Sequence, residues 1–230
     1  MVMKNYHSKK FPGESDEYRQ ARNKVLEAEI NLRRQTEEVA ALRRSLPYSG
    51  KVKEDYVFEE KDVSGSIRHT KLSELFEPGK DSLIIYSFMF GPKNERPCTS
   101  CTSILDGING MVFHARQRVN IAIVAKTSID KLTAWAEFKG WKNLRLLSSS
   151  GNNYNSDYFG EDENGNQLPI LNVFHKTGKG IFHFYATELL FAPAEKGQDG
   201  RHVDPIWPLW SLFDYTPEGR GADWHPKHEY

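Results

Sequence analysis

Between Asp16 and Arg44 apolar residues recur at three- and four-residue steps: Tyr18, Ala21, Val25, Ala28, Leu32, Val39 and Leu42, with Leu46 just beyond. Arg, Lys, Glu and Gln fill most other positions, so the pattern predicts one amphipathic helix, opened by Ser15 or Asp16 and stopped before Pro47. A helix of about 30 residues spans about 45 Å, longer than one face of a small domain. It therefore either pairs with a second copy of the chain, giving a homo-oligomer through residues 16–45, or folds back as a long surface helix.

After Pro47 the period changes. Tyr56-Val57-Phe58 predicts a short strand, the polar stretch from Asp62 to Ser66 a turn, and Leu72, Leu75 and Phe76 a single helical turn. The apolar run Leu83 to Phe90 has the length of a buried strand and is far short of the roughly 20 residues a membrane helix needs. A helix follows from Cys98 or Thr99 to Arg116, with Gly107 and Gly110 as points where it would bend. Asn120 to Ala125 reads as a second buried strand, Ser128 to Phe138 as a capped helix ended by Gly140, and Leu144 to Leu147 as a third strand. Alternating strands and helices of this kind predict a parallel sheet with helices covering it. Ser148 to Asn166 has no period and reads as a long loop, whose Tyr154, Tyr158 and Phe159 are candidates for the wall of a binding site. Behind Pro169, two apolar runs, Ile170 to Phe174 and Ile181 to Tyr185, flank the Gly-containing turn Lys176 to Gly180 and predict a hairpin. The last thirty residues carry Pro205, Trp207, Pro208, Trp210, Leu212 and Phe213, read as a short plug against the domain followed by a loose polar end. The expected divisions are an N-terminal extension over 1–50, an α/β domain over 51–215 and a tail over 216–230.

Charge narrows the function classes. Lys plus Arg number 31 and Asp plus Glu number 31, so no long-range field favours nucleic acid or an anionic membrane, and neither is expected as a partner. The polar start, MVMKNYHSKKFPGESDEY, lacks the apolar core of a secretory signal, which makes the cytoplasm the expected location. No GxGxxG or Walker segment is present, and no cofactor is expected. Two cysteines are too few for a disulfide-built scaffold, yet both fall in one Cys98-Thr99-Ser100-Cys101 unit.

That unit sits where a strand and loop lead into a helix. First-turn N–H groups and the helix dipole aimed at the Cys98 sulfur stabilise its thiolate, and Arg96 can add positive charge. A second sulfur one turn on, facing inward, can resolve a mixed disulfide formed at Cys98. The metal alternative starts from Cys98-x2-Cys101-x12-His114, but positions 117 to 120 are Gln, Arg, Val and Asn, so a fourth ligand could come only from a distant residue such as His175 or His183. His114 reads instead as a partly buried packing residue on its helix, and no metal site is expected. Pro169, directly before a buried strand, is a candidate cis proline of the kind that exposes neighbouring backbone groups to an extended thiol substrate; the alternative is a trans proline that starts the strand.

Strand, helix with CxxC at its start, strand, helix, then Pro and a hairpin is an order that resembles thioredoxin. The chain is also similar to a bacterial thioredoxin-like family of unknown function in the stretches LRRSLP, DYVFEE, LSELFEPGKDSLIIYSFMFGP, PCTSCTSILDGING, KTSIDKLTAWAEFKGW, LSSSGNNYNSDYFG, LPILNVFHKTGKGIFHFYAT and LFDYTPEGRG, which run from about Leu42 to Gly221. The resemblance implies an α/β thioredoxin-like sandwich, a central mixed sheet covered by helices, with Cys98 attacking, Cys101 resolving and Pro169 as the cis proline opposite them. Departures from thioredoxin are Pro97 in place of Trp before the first cysteine and Thr99-Ser100 in place of Gly-Pro between the two. The peroxiredoxin signature Pro-x-x-x-Thr-x-x-Cys fits neither cysteine: Cys98 is preceded by Gly91 and Glu95 at those positions, Cys101 by Asn94 and Cys98. The expected activity is thiol–disulfide oxidoreduction on a protein or small-molecule thiol or disulfide. The alternatives are a non-enzymatic thioredoxin-like interaction protein and a metal-binding redox sensor.

Overall fold

The computed structural model describes residues 6–197, 207–213, 215–216 and 224–229, with the backbone only at 210 and 211. Pro205, the Trp210 side chain and most of the tail lie outside the described residues. The chain divides into two units, residues 1–47 and 48–230.

In the first unit α1 (Asp16–Arg44) has the expected bounds. The Ser15 hydroxyl accepts from the Tyr18 N–H at 3.1 Å, Asp16 and Glu17 occupy the positive end, and Arg43 and Arg44 the negative end. Its apolar stripe stays open: none of its residues is buried, and Val25, Leu32 and Leu42 are each more than half exposed.

The second unit is built on one seven-stranded mixed sheet, the α/β thioredoxin-like sandwich with its helical cover. In chain order its elements are β1 (Val57–Lys61), β2 (Ile67–Lys71), a 3-10 turn (Leu72–Leu75), β3 (Ser82–Ser87), α2 (Thr99–Ala115), β4 (Asn120–Ala125), α3 (Ile129–Lys139), β5 (Leu146–Ser148), α4 (Tyr154–Asp157), β6 (Ile170–Thr177), β7 (Gly180–Ala186) and α5 (Pro208–Phe213). The sheet order is β2-β1-β5-β4-β3-β6-β7. Only β3, β4 and β5 run parallel; β6, β7, β1 and β2 are antiparallel additions on either side. The hairpins β1–β2 and β6–β7 are antiparallel by construction, and each joins the parallel strands in the antiparallel sense, β1 on β5 and β6 on β3, which makes the sheet mixed.

Alternation along β3 and β4 sends residues to two cores. Tyr86 and Ile123 join Phe88, Phe90, Leu105, Leu132, Trp135 and Trp141 beneath α2 and α3. Leu83, Ile85, Ala122 and Val124 join Tyr56, Phe58, Leu72, Leu75, Tyr154 and Phe174 on the other face. Burial on both faces explains why these strands read as unbroken apolar runs. α2 continues through Gly107 and Gly110, and His114 on it is exposed, contrary to the packing role expected for it, because that face of the helix looks outward. Ser128 accepts from the Lys131 N–H, and Gly140 closes α3 in the left-handed region at φ 70°.

β2 is the strand the period did not predict. Only Thr70 is buried along it, and β2 forms because its backbone completes the ladder with β1. The pair is held through Glu60, 5% exposed, whose carboxylate takes Thr70 Oγ1 at 2.7 Å, the Arg68 guanidinium, and Arg145 at 2.9 and 3.0 Å. Burial raises the Glu60 carboxyl, but the hydrogen bonds from Arg145 and Thr70 outweigh it and hold the group at about 2. A folded-state value below the unfolded one contributes stability that is complete above the unfolded value, near 4.3, and is lost as pH falls towards 2. Glu60→Gln should therefore lower stability at pH 7 by about 1–3 kcal/mol in urea unfolding, with the gap to the wild type closing between about pH 5 and pH 2.

Candidate functional site

The carboxyl ends of β3 and β4 face the same way, and chain segments leaving them enclose a cavity of about 620 Å³. This is the edge where open α/β sheets place ligands. The cavity is walled by Met89 and most of the loop from Gly91 to Cys98 after β3, by Lys126 after β4, and by Glu161 and residues 164–167 ahead of β6.

The loop into Cys98 is closed on itself by the Cys98 N–H to Met89 O bond at 3.1 Å, and Phe90 O accepts from the Thr127 N–H at 2.9 Å. Gly91 permits the close approach at its centre, since a Cβ there would stand 2.7 Å from Asn94 Oδ1 and 3.2 Å from Gln167 Cγ. Cys98 is the N-cap residue of α2, extended at φ −62°, ψ 130°, and its carbonyl takes both the N–H and the hydroxyl of Thr102, at 3.0 and 2.9 Å. No side-chain cap hydrogen bond is made at this helix start, so the first-turn amides remain available to the sulfur.

Both cysteines are free thiols, Cys98 half-buried and Cys101 buried at 2% exposure. The hydrogen bond donated by the Cys101 thiol lowers the Cys98 thiol to about 6. Burial opposes this, and the N–H groups of Cys101 and Ser100 with the Ser100 hydroxyl reinforce it. The same bond, then burial, then the neighbouring thiolate push Cys101 well above its ordinary value, and the Tyr86 hydroxyl and the Met89 backbone only partly offset them. One thiol is poised as an anion at the cavity while the other stays protonated behind it.

Arg96 lies on the cavity wall, but its guanidinium pairs with Glu229 at 2.6 Å, and the groups that lower Cys98 are the cysteine partner and helix-start donors. Pro169 adjoins the carboxyl end of β3, where Ile170 pairs with Ser87. The expected cis bond is corrected: all described peptide bonds are trans. Leu168 already donates to Gly160 O at 2.9 Å while Ile170 enters the ladder, so the chain passes through Pro169 in extended form. The long loop also differs from expectation. Tyr154 is completely buried against Tyr56, Phe58 and Phe174, and Tyr158 meets Phe174 edge-on and His183 at a tilt, so these two rings pack with the second core; Phe159 is exposed beside Phe191, and none of the three lines the cavity. The wall is instead the polar turn that follows, where the Asp162 carboxylate takes the N–H groups of Asn164 and Asn166, with Gly165 in the left-handed region. Buried Asn155 anchors it, donating to Gln167 Oε1 at 3.2 Å and accepting from Ser149 Oγ at 2.7 Å.

Residues 224–229 are not loose. His228 is 9% exposed, its Nε2 lies 3.1 Å from the Pro97 carbonyl, and its ring meets Trp135 edge-on at 4.9 Å. Neither His228 nor Glu229 carries a local sequence signal, since both sit in a polar stretch whose partners are more than a hundred residues away. Among the described residues no three His, Cys, Asp or Glu side chains gather as a metal site, and no helix is long and apolar enough to cross a membrane.

Fold and site together define a thioredoxin-fold protein with a redox-capable CxxC cysteine pair. Residues 8–230 match the family described as "Bacterial protein of unknown function (DUF899)", and the chain belongs to that family. No curated protein matches it. Similar solved structures include AhpC of Enterococcus faecalis (13% identity, TM-score 0.47, 76% of this chain and 98% of that one) and reduced 2-Cys peroxiredoxin of Plasmodium vivax (18%, 0.46, 61% and 84%). A third is the exposed lipoprotein thioredoxin Etrx1 of Streptococcus pneumoniae (15%, 0.40, 63% and 92%). These likenesses concern the course of the chain, and no site residue is transferred from them.

Alkylation of reduced protein by iodoacetamide should titrate Cys98 with a midpoint near pH 6. Cys101→Ala removes the principal donor and should raise that midpoint by more than about one pH unit, towards the 8.5 of an ordinary thiol.

Proposed function

We propose that the protein is a thiol–disulfide oxidoreductase in which Cys98 is the nucleophile and Cys101 the resolving thiol. The observation that supports this best is the opposed ionisation of the two sulfurs, the half-buried one favoured as thiolate and the buried one as thiol. Cys98 thiolate attacks one sulfur of a substrate disulfide; the S–S bond breaks, and the leaving thiolate takes a proton from solvent. The mixed disulfide removes the negative charge from Cys98, so Cys101 no longer donates to an anion and loses its proton more readily. Cys101 thiolate then attacks the Cys98 sulfur, the second substrate thiol departs, and the Cys98–Cys101 disulfide forms. Two electrons pass from the dithiol to the substrate disulfide, and the reverse sequence oxidises a dithiol substrate. Pro169 belongs to this reading only by its position beside the end of β3, since the Leu168 N–H is already given to Gly160 O and Ile170 is in the ladder. Arg96 belongs to it as a wall residue whose charge is shared with Glu229.

Cys101→Ser incubated with a disulfide should accumulate a covalent adduct at Cys98, seen by intact mass and peptide mapping. The wild type should instead lose two hydrogens to its internal disulfide, and Cys98→Ser should form no adduct. Absence of any adduct, together with a Cys98 alkylation midpoint at or above about 8.5, would overturn the assignment.

A further inference from the structure

Two observations carry the chemistry of this site further. The first is the composition of the cavity wall. Its volume lies in the range of small-molecule sites. Among the described residues no aromatic or branched aliphatic side chain lines it; the apolar contribution comes from Met89, Pro92 and Pro97. Facing them are the amides of Asn94, Asn164, Asn166 and Gln167, and charged Lys93, Arg96, Lys126 and Glu161. Lys126 is balanced by Glu161 at 3.7 Å and Arg96 by Glu229, whereas exposed Lys93 has no carboxylate within pairing distance among the described residues. We propose, resting on the exchange reading above, that the substrate is a low-molecular-weight polar disulfide or thiol bearing carboxylate groups, received beside Cys98 with an anionic group towards Lys93. An apolar thiol would cover the exposed Asn94 and Asn164 amides without pairing them, which costs binding energy.

The test follows loss of the free dithiol in reduced protein with dithiodiglycolate, bis(hydroxyethyl) disulfide, cystamine and insulin. The small disulfides should react faster per bond than insulin. Lys93→Glu should lower the dithiodiglycolate-to-cystamine rate ratio by about fivefold or more, the scale of an exposed charge pair. Insulin reacting as fast as bis(hydroxyethyl) disulfide, or an unchanged ratio in Lys93→Glu, overturns the substrate class while leaving the exchange chemistry standing. Inertness towards all four overturns both.

The second observation is independent of substrate. The residue before Cys98 is held by the end of the chain. A carbonyl can only accept, so His228 Nε2 carries the proton donated to Pro97 O, leaving Nδ1 buried without a hydrogen-bond partner among the described residues. The His228 carbonyl accepts from Lys139 Nζ at 3.1 Å, Trp135 packs on the ring, and Glu229 holds Arg96. These contacts pin Arg96 and Pro97, and with them the entry of Cys98 into the start of α2. We infer that the segment 224–229 is a clasp and His228 a positioning residue that keeps the Cys98 sulfur over the first-turn amides. A buried imidazole with one orphaned nitrogen is a costly way to fill space, and its one directed bond goes to the peptide unit of the reactive cysteine.

The charges on the cavity wall with Cys98 are Lys93, Arg96, Lys126 and Glu161, and of these Arg96 is the one paired with the segment, through Glu229. His228→Ala should raise the alkylation midpoint of Cys98 by about half a pH unit, a roughly twofold loss of thiolate at pH 6, and His228→Gln, which keeps a donor, should restore it. Should His228→Ala not fold, Glu229→Gln, which releases only the Arg96 arm, should speed amide hydrogen exchange across residues 93–98. A folded His228→Ala protein with the wild-type midpoint overturns the clasp. So does unchanged exchange in Glu229→Gln when the alanine variant cannot be measured.

Discussion

β3 is hydrogen-bonded along both edges and packed on both faces. β4 runs parallel on one side, β6 antiparallel on the other, and its residues alternate between two cores. A register slip of one residue would move Leu83 and Ile85 into the space of Ile84 and Tyr86 and break both layers at once. The carboxyl end of β3 is therefore a fixed point, and the loop that leaves it is closed again within nine residues by the Cys98 to Met89 bond. Everything that tunes the cysteines acts from this platform: Tyr86, on the strand itself, lies at the Cys101 sulfur, and α2 starts where the loop returns.

The second consequence is chemical asymmetry. Two thiols of the same intrinsic acidity are separated because one is the acceptor at a helix start and the other the donor behind it, buried. Burial alone would raise both. The hydrogen bond between them decides the sign, because it stabilises charge on one sulfur by withholding it from the other. The polar turn at 161–167 and the clasp at 224–229 then close in on the same loop from different parts of the chain, joining its ends to a site that the central strand and helix define.

Much of the fold was legible because its signals are local. Ser15 and Ser128 cap helices through bonds three residues away, Gly140 terminates α3 by its own backbone freedom, and Asn120 to Ala125 is apolar because it is buried on both faces. The CxxC unit at a strand-to-helix junction carried the site in the same way. Signals that depend on partners were silent or misleading. β2 has no apolar alternation because only one of its residues is buried, and its ladder with β1 alone makes it a strand. Tyr154 and Tyr158 of the 148–166 loop looked like a binding wall because their housing is supplied by Phe174, Tyr56 and Phe58, distant in sequence.

The sequence by itself determined α1, α2 and α3, the core strands and the place of both cysteines, since periodicity, caps and residue spacing are properties of neighbours; the mixed order of the sheet followed from the resemblance to thioredoxin, not from the period. The tertiary structure decided the trans geometry at Pro169, the commitment of Arg96 to Glu229, the polar character of the cavity and the docking of His228 on Pro97. Each of these turns on which groups meet across the fold. A polar or charged side chain reads alike in sequence whether it faces solvent or a buried partner, and only the packed chain supplies that partner.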